Sequence, residues 1–534
     1  MKSESEYQPL KKTKGALFRV IILLLIVTVA GIVSWFVFLA DTPEVSLVLS
    51  SYRADTAENI KIKKVVLSTL QHDIDAFNSN AFVPGSQNFF DGESSLNNSF
   101  AHTAYLVTTD SSFTIDMGDA SFLTTPTIVD TILYSSGGFS SKAFFAFSAN
   151  TGKVIWSADI SDDGPSSAIT TDSLVLFNTE SCTLFALNRF TGQHVWSKWI
   201  GDPLLTHPVT DGQYVYTAYP AANQAANMHG EQFKKLPPSH AILAMDVHTG
   251  KVIWQRWLDG DVMTTPILDN GNIYLTTFKG TLYKLSAADG KILTASLVNA
   301  TSLPNICGDK IYTTQRRLQN NGVYEAIVAL DKNTFALLNT FAVHKAPYLD
   351  YEVQKMAPLK NTSNELDARN GFATTPNECG WQNAAALIGQ SNVSSLQNFT
   401  GSTVVTEGNN LYSCFGNEII CIDANNGKTT WEYPLPTQLA IKGGHSATTP
   451  IVIGNNIIVV TSDGDVLLLD KTNGNLSKKY ATHAAVRNQP IVDKGRIFMP
   501  SATGKLIAID TKQKDLAGYK MFMKNNAHNT QKRN

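Results

Sequence analysis

Charge is scarce in this 534-residue chain: Asp, Glu, Lys and Arg make up 16% of it, and 43 basic side chains face 45 acidic ones, for a net charge of −2. Without a basic footprint, nucleic acid is excluded as a partner. Cysteine is rarer still, with five residues, too few to frame a disulfide-built fold of this size. None stands in a Cys-x-x-Cys-His arrangement, so covalently attached haem is excluded. Beyond residue 120 no long amphipathic helical pattern occurs. What the chain does have is apolar material, 43% of its residues, enough for a sizeable core and too much for bulk disorder.

One run of that material stands apart. Val20–Ala40 is 21 residues without a charge, and as a helix it would span about 31 Å, the thickness of a bilayer's hydrocarbon core. Lys11, Lys12, Lys14 and Arg19 precede it, while Asp41 and Glu44 follow. The basic flank belongs in the cytoplasm, so the expectation is a single-pass anchor with residues 1–19 cytoplasmic and everything after the span extracytoplasmic. The rival reading is a signal peptide cut near Leu39-Ala40-Asp41, but an apolar region this long favours an uncleaved helix. No cysteine lies near it to carry a lipid. Residues 41–102 show no strong motif and read as a stalk.

From about residue 120 a pattern recurs. Phe145-Ala-Phe-Ser-Ala-Asn-Thr-Gly152 is followed by Trp156, Phe185-Ala-Leu-Asn-Arg-Phe-Thr-Gly192 by Trp196, and Leu243-Ala-Met-Asp-Val-His-Thr-Gly250 by Trp254. Tyr283-Lys-Leu-Ser-Ala-Ala-Asp-Gly290 lacks the tryptophan, and Val328-Ala-Leu-Asp331 has Phe335 in the glycine slot. Ile420-Cys-Ile-Asp423 leads to Gly427 and Trp431, Leu467-Leu-Leu-Asp470 to Gly474, and Ile507-Ala-Ile-Asp510 to Lys514 in the same slot. The eight slots lie 40, 58, 40, 45, 92, 47 and 40 residues apart, around the size of one four-stranded propeller blade. The intervening runs are β-branched and aromatic or alternate in polarity, as strands do. The pattern predicts an all-β, eight-bladed β-propeller of four-stranded, W-shaped blades over residues 103–522, preceded by one transmembrane helix. Two long steps mark insertions at about 218–240 and 344–401, and residues 523–534 read as a polar tail. Tyr105 to Asp116 is expected to close the ring against the last blade, which finishes weakly at Tyr519–Phe522.

The repeated phrase Ala-Leu-Asp-x-x-Thr-Gly-Lys-x-x-Trp resembles the pyrroloquinoline-quinone-type propeller repeat. That family includes the quinoprotein dehydrogenases and the non-catalytic propeller subunit of the bacterial outer-membrane assembly machinery. The resemblance covers about four-fifths of the chain and speaks for fold more than for activity. It implies that Trp156, Trp196, Trp254 and Trp431 dock between neighbouring blades.

In quinoprotein dehydrogenases the cofactor sits over the central funnel with cationic partners and calcium ligands. Here the inner strands begin with Thr124-Thr125-Pro126, Ser166-Ser167, Thr206-His207-Pro208, Thr264-Thr265-Pro266, Ser302-Leu303-Pro304, Thr448-Thr449-Pro450 and Asn488-Gln489-Pro490, a ring of small polar groups almost free of charge. Blade six starts at either Thr374 or Ser402. Only His207, with His445 and Arg487 nearby, offers weak funnel ligation, too little for a trianionic quinone with a divalent cation. The five cysteines include no adjacent pair of the kind many alcohol-oxidising relatives carry beside the quinone. No cofactor, no catalytic residue and no metal site is expected; pyrroloquinoline quinone with Ca²⁺ is the alternative. Asp119, Asp163, Asp202, Asp259 and Asp261 precede inner strands and read as ordinary loop residues, the alternative being one rim that collects a metal or a basic partner. His229 and His344 would ligate a metal only if the two insertions met. Cys414 and Cys421 flank a hairpin turn and would bridge only if the register set them opposite each other.

The expected function is a membrane-anchored, extracytoplasmic, non-catalytic scaffold. Its protein partners would be engaged through a loop face and the insertions, in the periplasm if the cell is bacterial and in a lumen or outside the cell if it is eukaryotic. The alternatives are a quinone-dependent oxidoreductase acting on an alcohol or sugar, and a sensor that binds a ligand or polymer.

Overall fold

The computed structural model describes residues 104–529 apart from 110–111, 119–122, 139–140, 161–163, 180–182, 201–205, 221–239, 259–261, 263–264, 278–279, 320–321, 346–401 and 437–445. The Val20–Ala40 span, the stalk through residue 103 and most of both insertions lie outside these residues. Among the described residues no helix is long and apolar enough to cross a membrane.

Eight separate antiparallel sheets follow one another along the chain. Blade 1 comprises Thr127–Val129, Ile132–Ser136, Ala143–Ser148 and Val154–Asp159, each strand pairing with the next. Blades 2 to 7 repeat that meander over residues 169–199, 209–258, 267–297, 305–345, 405–434 and 451–481. Blade 6 opens at Val405, so Ser402 leads into it. Blade 8 takes three strands from the C-terminal side, Ile491–Asp493, Arg496–Pro500 and Lys505–Asp510. Its outer two come from the other side of the chain: Ser112–Asp116 pairs with Lys505–Asp510, and Tyr105–Thr108 adds a fifth strand. The ring is therefore closed by hydrogen bonds between residues almost 400 positions apart.

Sequence explains how each blade is layered. Second and third strands are covered on both faces and read as nearly unbroken apolar runs, such as Leu174–Asn178, where every residue is buried. Outermost strands turn polar, and Leu476–Ala481 is largely exposed. The core is accordingly eight apolar slabs, one at each blade interface.

The recurring turn supplies the joint between slabs. Asp246 ends a third strand and its carboxylate accepts from the N–H groups of His248 (3.1 Å) and Thr249 (2.9 Å), while its carbonyl accepts from Gly250 (2.9 Å). Gly250 has φ +66°, and the six-membered ring of Trp196 from the preceding blade lies so close that an added Cβ would sit 2.7 Å from it. The indole N–H of Trp196 donates to the carbonyl of Val247, in the same turn (3.0 Å). Trp156 lies likewise on Gly192 and donates to Arg189 (3.1 Å), Trp254 on Gly290 to Ala287 (2.9 Å), and Trp431 on Gly474 to Lys471 (2.9 Å).

Gly192→Ala combines a clash with a left-handed backbone, so it should cost about 2–4 kcal/mol. Gly408→Ala has a similar backbone, φ +58°, but open space around the added methyl, and should cost only about 1 kcal/mol. Denaturation midpoints of the two variants measure the contact itself; equal losses would remove the docking account.

Candidate functional site

Innermost strands leave one edge facing the ring axis, and the ring of small polar groups lies at their starts. Some of those groups, such as Thr206 donating to the carbonyl of Ala218 (2.9 Å), bond within their own blade; others bond across to a neighbouring blade. Thr125 Oγ1 donates to the carbonyl of Gln489 (2.9 Å), Thr127 Oγ1 to that of Ala168 (2.7 Å), and Thr265 Oγ1 to that of His207 (2.8 Å). Thr276 Oγ1 reaches the carbonyl of Ser302 (2.9 Å), Gln489 Nε2 that of Thr449 (3.2 Å) and Asn488 Nδ2 that of Leu123 (2.7 Å). Every one of these bonds crosses from one blade to its neighbour. Buried hydroxyls so placed satisfy carbonyls that would otherwise be stranded.

Charge at the strand ends is paired across blades in the same way. Asp130 meets Arg189 at 2.9 Å, Asp269 meets Lys332 at 2.5 Å and Glu407 meets Lys471 at 2.7 Å. In each pair the cation directly follows the turn residue Asn188, Asp331 or Asp470 of the next blade.

The axis itself is occupied by the chain. After Asp510 the polypeptide leaves the sheet. Tyr519 exchanges two backbone bonds with Val492 on the innermost strand of blade 8 (2.6 and 3.1 Å). The carbonyl of Lys520 accepts from Ile128 of blade 1 (2.7 Å), that of Asn526 from Thr210 of blade 3 (3.1 Å), and that of Ala527 from Leu268 of blade 4 (3.1 Å). The Asn526 side chain bonds both backbone groups of Thr170 in blade 2. Met523 packs among Ile267, Leu303 and Ile306 of blades 4 and 5, and Lys520 pairs with Asp493 at 3.4 Å. Asn529 Nδ2 donates to the carbonyl of Leu268 (2.5 Å). One segment thus touches the innermost strands of six blades.

Two imidazoles lie where this segment ends. His528 is 2% exposed and shares a hydrogen bond with Thr265 Oγ1 (2.7 Å). His207, on the approach to the inner strand of blade 3, leaves its Nδ1 without a hydrogen-bond partner among the described residues. The Phe522 ring stands 5.4 Å from that of His207 and 5.5 Å from that of His528. Burial pushes His207 down to about 4; burial first, and then His207, push His528 down to about 3.

Of the sequence candidates, His207 is therefore beneath the C-terminal segment, Arg487 is exposed, and His445 lies outside the described residues. So do His229, Asp119, Asp163, Asp202, Asp259 and Asp261. His344 sits on the outermost strand of blade 5, opposite Glu325 in register. Cys414 faces Ile419 and Cys421 faces Tyr412, a register offset by two, and both thiols are free and buried. Among the described residues no three His, Cys, Asp or Glu side chains group closely enough to hold a metal ion. Sequence reasoning missed the axial segment altogether. Its only signal was Tyr519-Lys-Met-Phe-Met, apolar residues beyond the last repeat with no blade left to join.

A family model described as outer membrane protein assembly factor BamB matches residues 142–231, 238–333 and 375–520. The chain is 21% identical over 374 residues to tetrathionate hydrolase of Acidithiobacillus ferrooxidans, across 64% of this chain and 71% of that one. It is 22% identical over 346 residues to the outer membrane protein assembly factor BamB of Moranella endobia, across 61% and 79%. Among solved structures, Sqt1 of Saccharomyces cerevisiae gives a TM-score of 0.51 at 9% identity, covering 76% of this chain and 99% of that one, a likeness of fold alone.

If the axial hydroxyls hold blades together, Thr125→Val and Thr127→Val should each cost about 1–2 kcal/mol of stability, because each strands a buried carbonyl, that of Gln489 or that of Ala168. Thermal unfolding of both variants checks this, and unchanged midpoints would return the hydroxyls to the role of ligand groups.

Proposed function

The chain belongs to the pyrroloquinoline-quinone-like β-propeller family, whose matching model describes outer membrane protein assembly factor BamB, and on that premise we propose that it is a non-catalytic interaction scaffold on the extracytoplasmic side of a membrane. The reading places Val20–Ala40 in the bilayer and the propeller beyond it, with protein partners met by the loop face and the insertions at 218–240 and 344–401. The periplasm is the compartment in a bacterial cell. A relative named as an outer membrane protein assembly factor supports a partner concerned with membrane-protein assembly.

The observation that carries this reading is the filled axis. A tricarboxylate quinone needs cations and room at the funnel. The described groups there are hydroxyls bonded within and between blades, a neutral His207 against Phe522, and a stretch of backbone bonded to the strands, whose Lys520 is already paired with Asp493 and which also carries Lys524. These residues do not fit pyrroloquinoline quinone with Ca²⁺. The outer rim, in contrast, is available. Ile155, Val195, Ile253, Leu293 and Leu338 are exposed aliphatic side chains, each three residues past the turn slot of blades 1 to 5. Thr430 and Ser477 take the same place in blades 6 and 7, so the rim has an apolar side and a polar side. Isolated exposed aliphatics are common, but their recurrence at one repeat position gives partners a periodic surface.

The test has two arms on the full-length protein in detergent. Calorimetric titration with pyrroloquinoline quinone and Ca²⁺ should give no saturable heat, and tetrathionate, taken from the name of the hydrolase relative, should not be turned over. Photo-crosslinking residues at Val195, Ile253 and within 218–240 should yield one discrete membrane-protein adduct in native membranes, while the same probe at Thr430 or Ser477 should not. One-site quinone binding at micromolar affinity, or tetrathionate turnover, would replace the scaffold with an enzyme.

A further inference from the structure

We propose that the axial channel is a peptide-binding site with a built-in occupant, residues 519–529 of the same chain, and that this occupant leaves the channel in acid. The site is made by topology. Closing eight meanders into a ring turns eight strand edges toward one axis, each with backbone groups that the sheets leave unpaired. The segment answers them with its own backbone and with asparagine amides: N–H groups of Ile128, Thr170, Thr210, Leu268 and Val492, on five different inner strands, all donate to it. Within the segment, backbone bonds are few, from Lys524 to Met521 and from His528 to Asn525. The Asn525 side chain closes one turn by accepting from the N–H groups of Ala527 (3.0 Å) and Asn529 (3.2 Å), and the channel sets the rest of the conformation, as it would for a bound peptide.

The segment is also hung so that it can leave. Lys512, Lys514, Asp515, Ala517 and Gly518 are exposed, and Gly518 has φ +103°. Blade 8 does not need the segment for its outer edge, because Ser112–Asp116 pairs with Lys505–Asp510; the segment meets only its inner edge, at Val492.

Retention depends on the two imidazoles. Thr265 has one hydroxyl proton; given to the carbonyl of His207, it leaves Oγ1 to accept from Nδ1–H of His528. His207 is the group whose charge acts on His528, and Phe522 between them brings no charge of its own. The other charged groups on the packed elements are engaged: Lys520 with Asp493, Asp269 with Lys332, and Asp211 with the hydroxyl of Tyr216 at 2.8 Å. Nothing named here would compensate an imidazolium.

The direction follows. Seated, His207 and His528 stay neutral down to about 4 and about 3. Released, both titrate near the ordinary histidine value of about 6.5. Above that pH the two states bind the same protons and seating is undisturbed. As pH falls below it, the released state takes up protons that the seated state refuses, and at pH 5.0 each histidine weakens seating roughly 30-fold.

Hydrogen exchange on the intact chain tests this, with rates corrected for the intrinsic effect of pH. At pH 7.5 the hydrogen-bonded amides of the segment, Tyr519, Lys524 and His528, and those of Ile128, Thr210 and Leu268 that donate to it, should be protected. At pH 5.0 they should lose at least tenfold of that protection while Leu174–Asn178 keeps its own. His207→Gln with His528→Gln should abolish the difference between the two pH values. In parallel, a synthetic peptide of residues 513–529 should bind one-to-one to a chain ending at Thr511 at pH 7.5, and at least tenfold more weakly at pH 5.0. Circular dichroism checks that the shortened chain is folded; if it is not, exchange on the intact chain decides. Protection of the segment that is absent at pH 7.5, or equal at both pH values, overturns the proposal. So does a folded shortened chain that fails to bind the peptide, or acid loss of protection that extends to the whole ring.

Discussion

An aromatic ring laid on a turn from the next blade is the contact on which this architecture rests. A propeller blade is a small sheet with two apolar faces and no core of its own, so its position depends on its neighbours. The indole both fills the space that the turn glycine leaves open and hydrogen-bonds a carbonyl in that turn, which fixes angle as well as distance. Trp156, Trp196, Trp254 and Trp431 do this at four interfaces.

The remaining four interfaces show how the same constraint is met with other residues. Between blades 4 and 5 the sizes are exchanged: Thr294 stands in the tryptophan position and Phe335, buried at φ +61°, fills the glycine slot. A bulky residue with positive φ is an outlier, and here the vacant indole site accounts for it. Thr294 Oγ1 still reaches that turn, at the carbonyl of Asn333 (3.2 Å). Between blades 5 and 6 the ring is Phe341 on Gly427, two residues late, because the outer strand of blade 5 carries two register shifts where other blades carry one. Between blades 7 and 8, Lys478 takes the tryptophan place and its ammonium reaches the carbonyl of Thr511 (3.4 Å), the residue after Asp510, as the indoles do in their turns. At the closing interface the ring is Phe113, from the N-terminal strand, against Gly152, with Arg496 5.4 Å above Phe113 and donating to the carbonyls of Ala149 (2.8 Å) and Asn150 (3.0 Å).

These particulars explain what could be read in advance. Eight blades were legible because the turn phrase carries steric demands, a glycine with positive φ and a side-chain cap, that few other residues meet. The copies with Phe335 and Lys514 remained recognisable through the strand and aspartate before them. The axial hydroxyls were legible as a ring, but their partners were not, since a threonine facing a ligand and one facing a neighbouring carbonyl are the same letter. The axial segment was illegible for a related reason. Asn525-Asn-Ala-His-Asn529 has the composition of a solvated tail, and only a ring of unpaired strand edges makes asparagine amides and backbone carbonyls the right chemistry for a buried place. The offset of Cys414 from Cys421 likewise depended on register, which a one-residue change in the turn would have altered.

The pairing of Ser112–Asp116 with Lys505–Asp510 has a consequence for how the molecule comes into being. A chain made from its N-terminus holds the closing strand ready while about 400 residues are still to come, a wait of roughly 20 to 80 s at ordinary rates of synthesis. During that time blades stack as an open arc with a bare edge at each end, and Phe113 has no blade 8 to carry it. The axis does not yet exist, because its lining edges converge only when the arc shuts. Order of synthesis thus imposes an order of assembly: blades first, the ring next, and the filling of the axis after both.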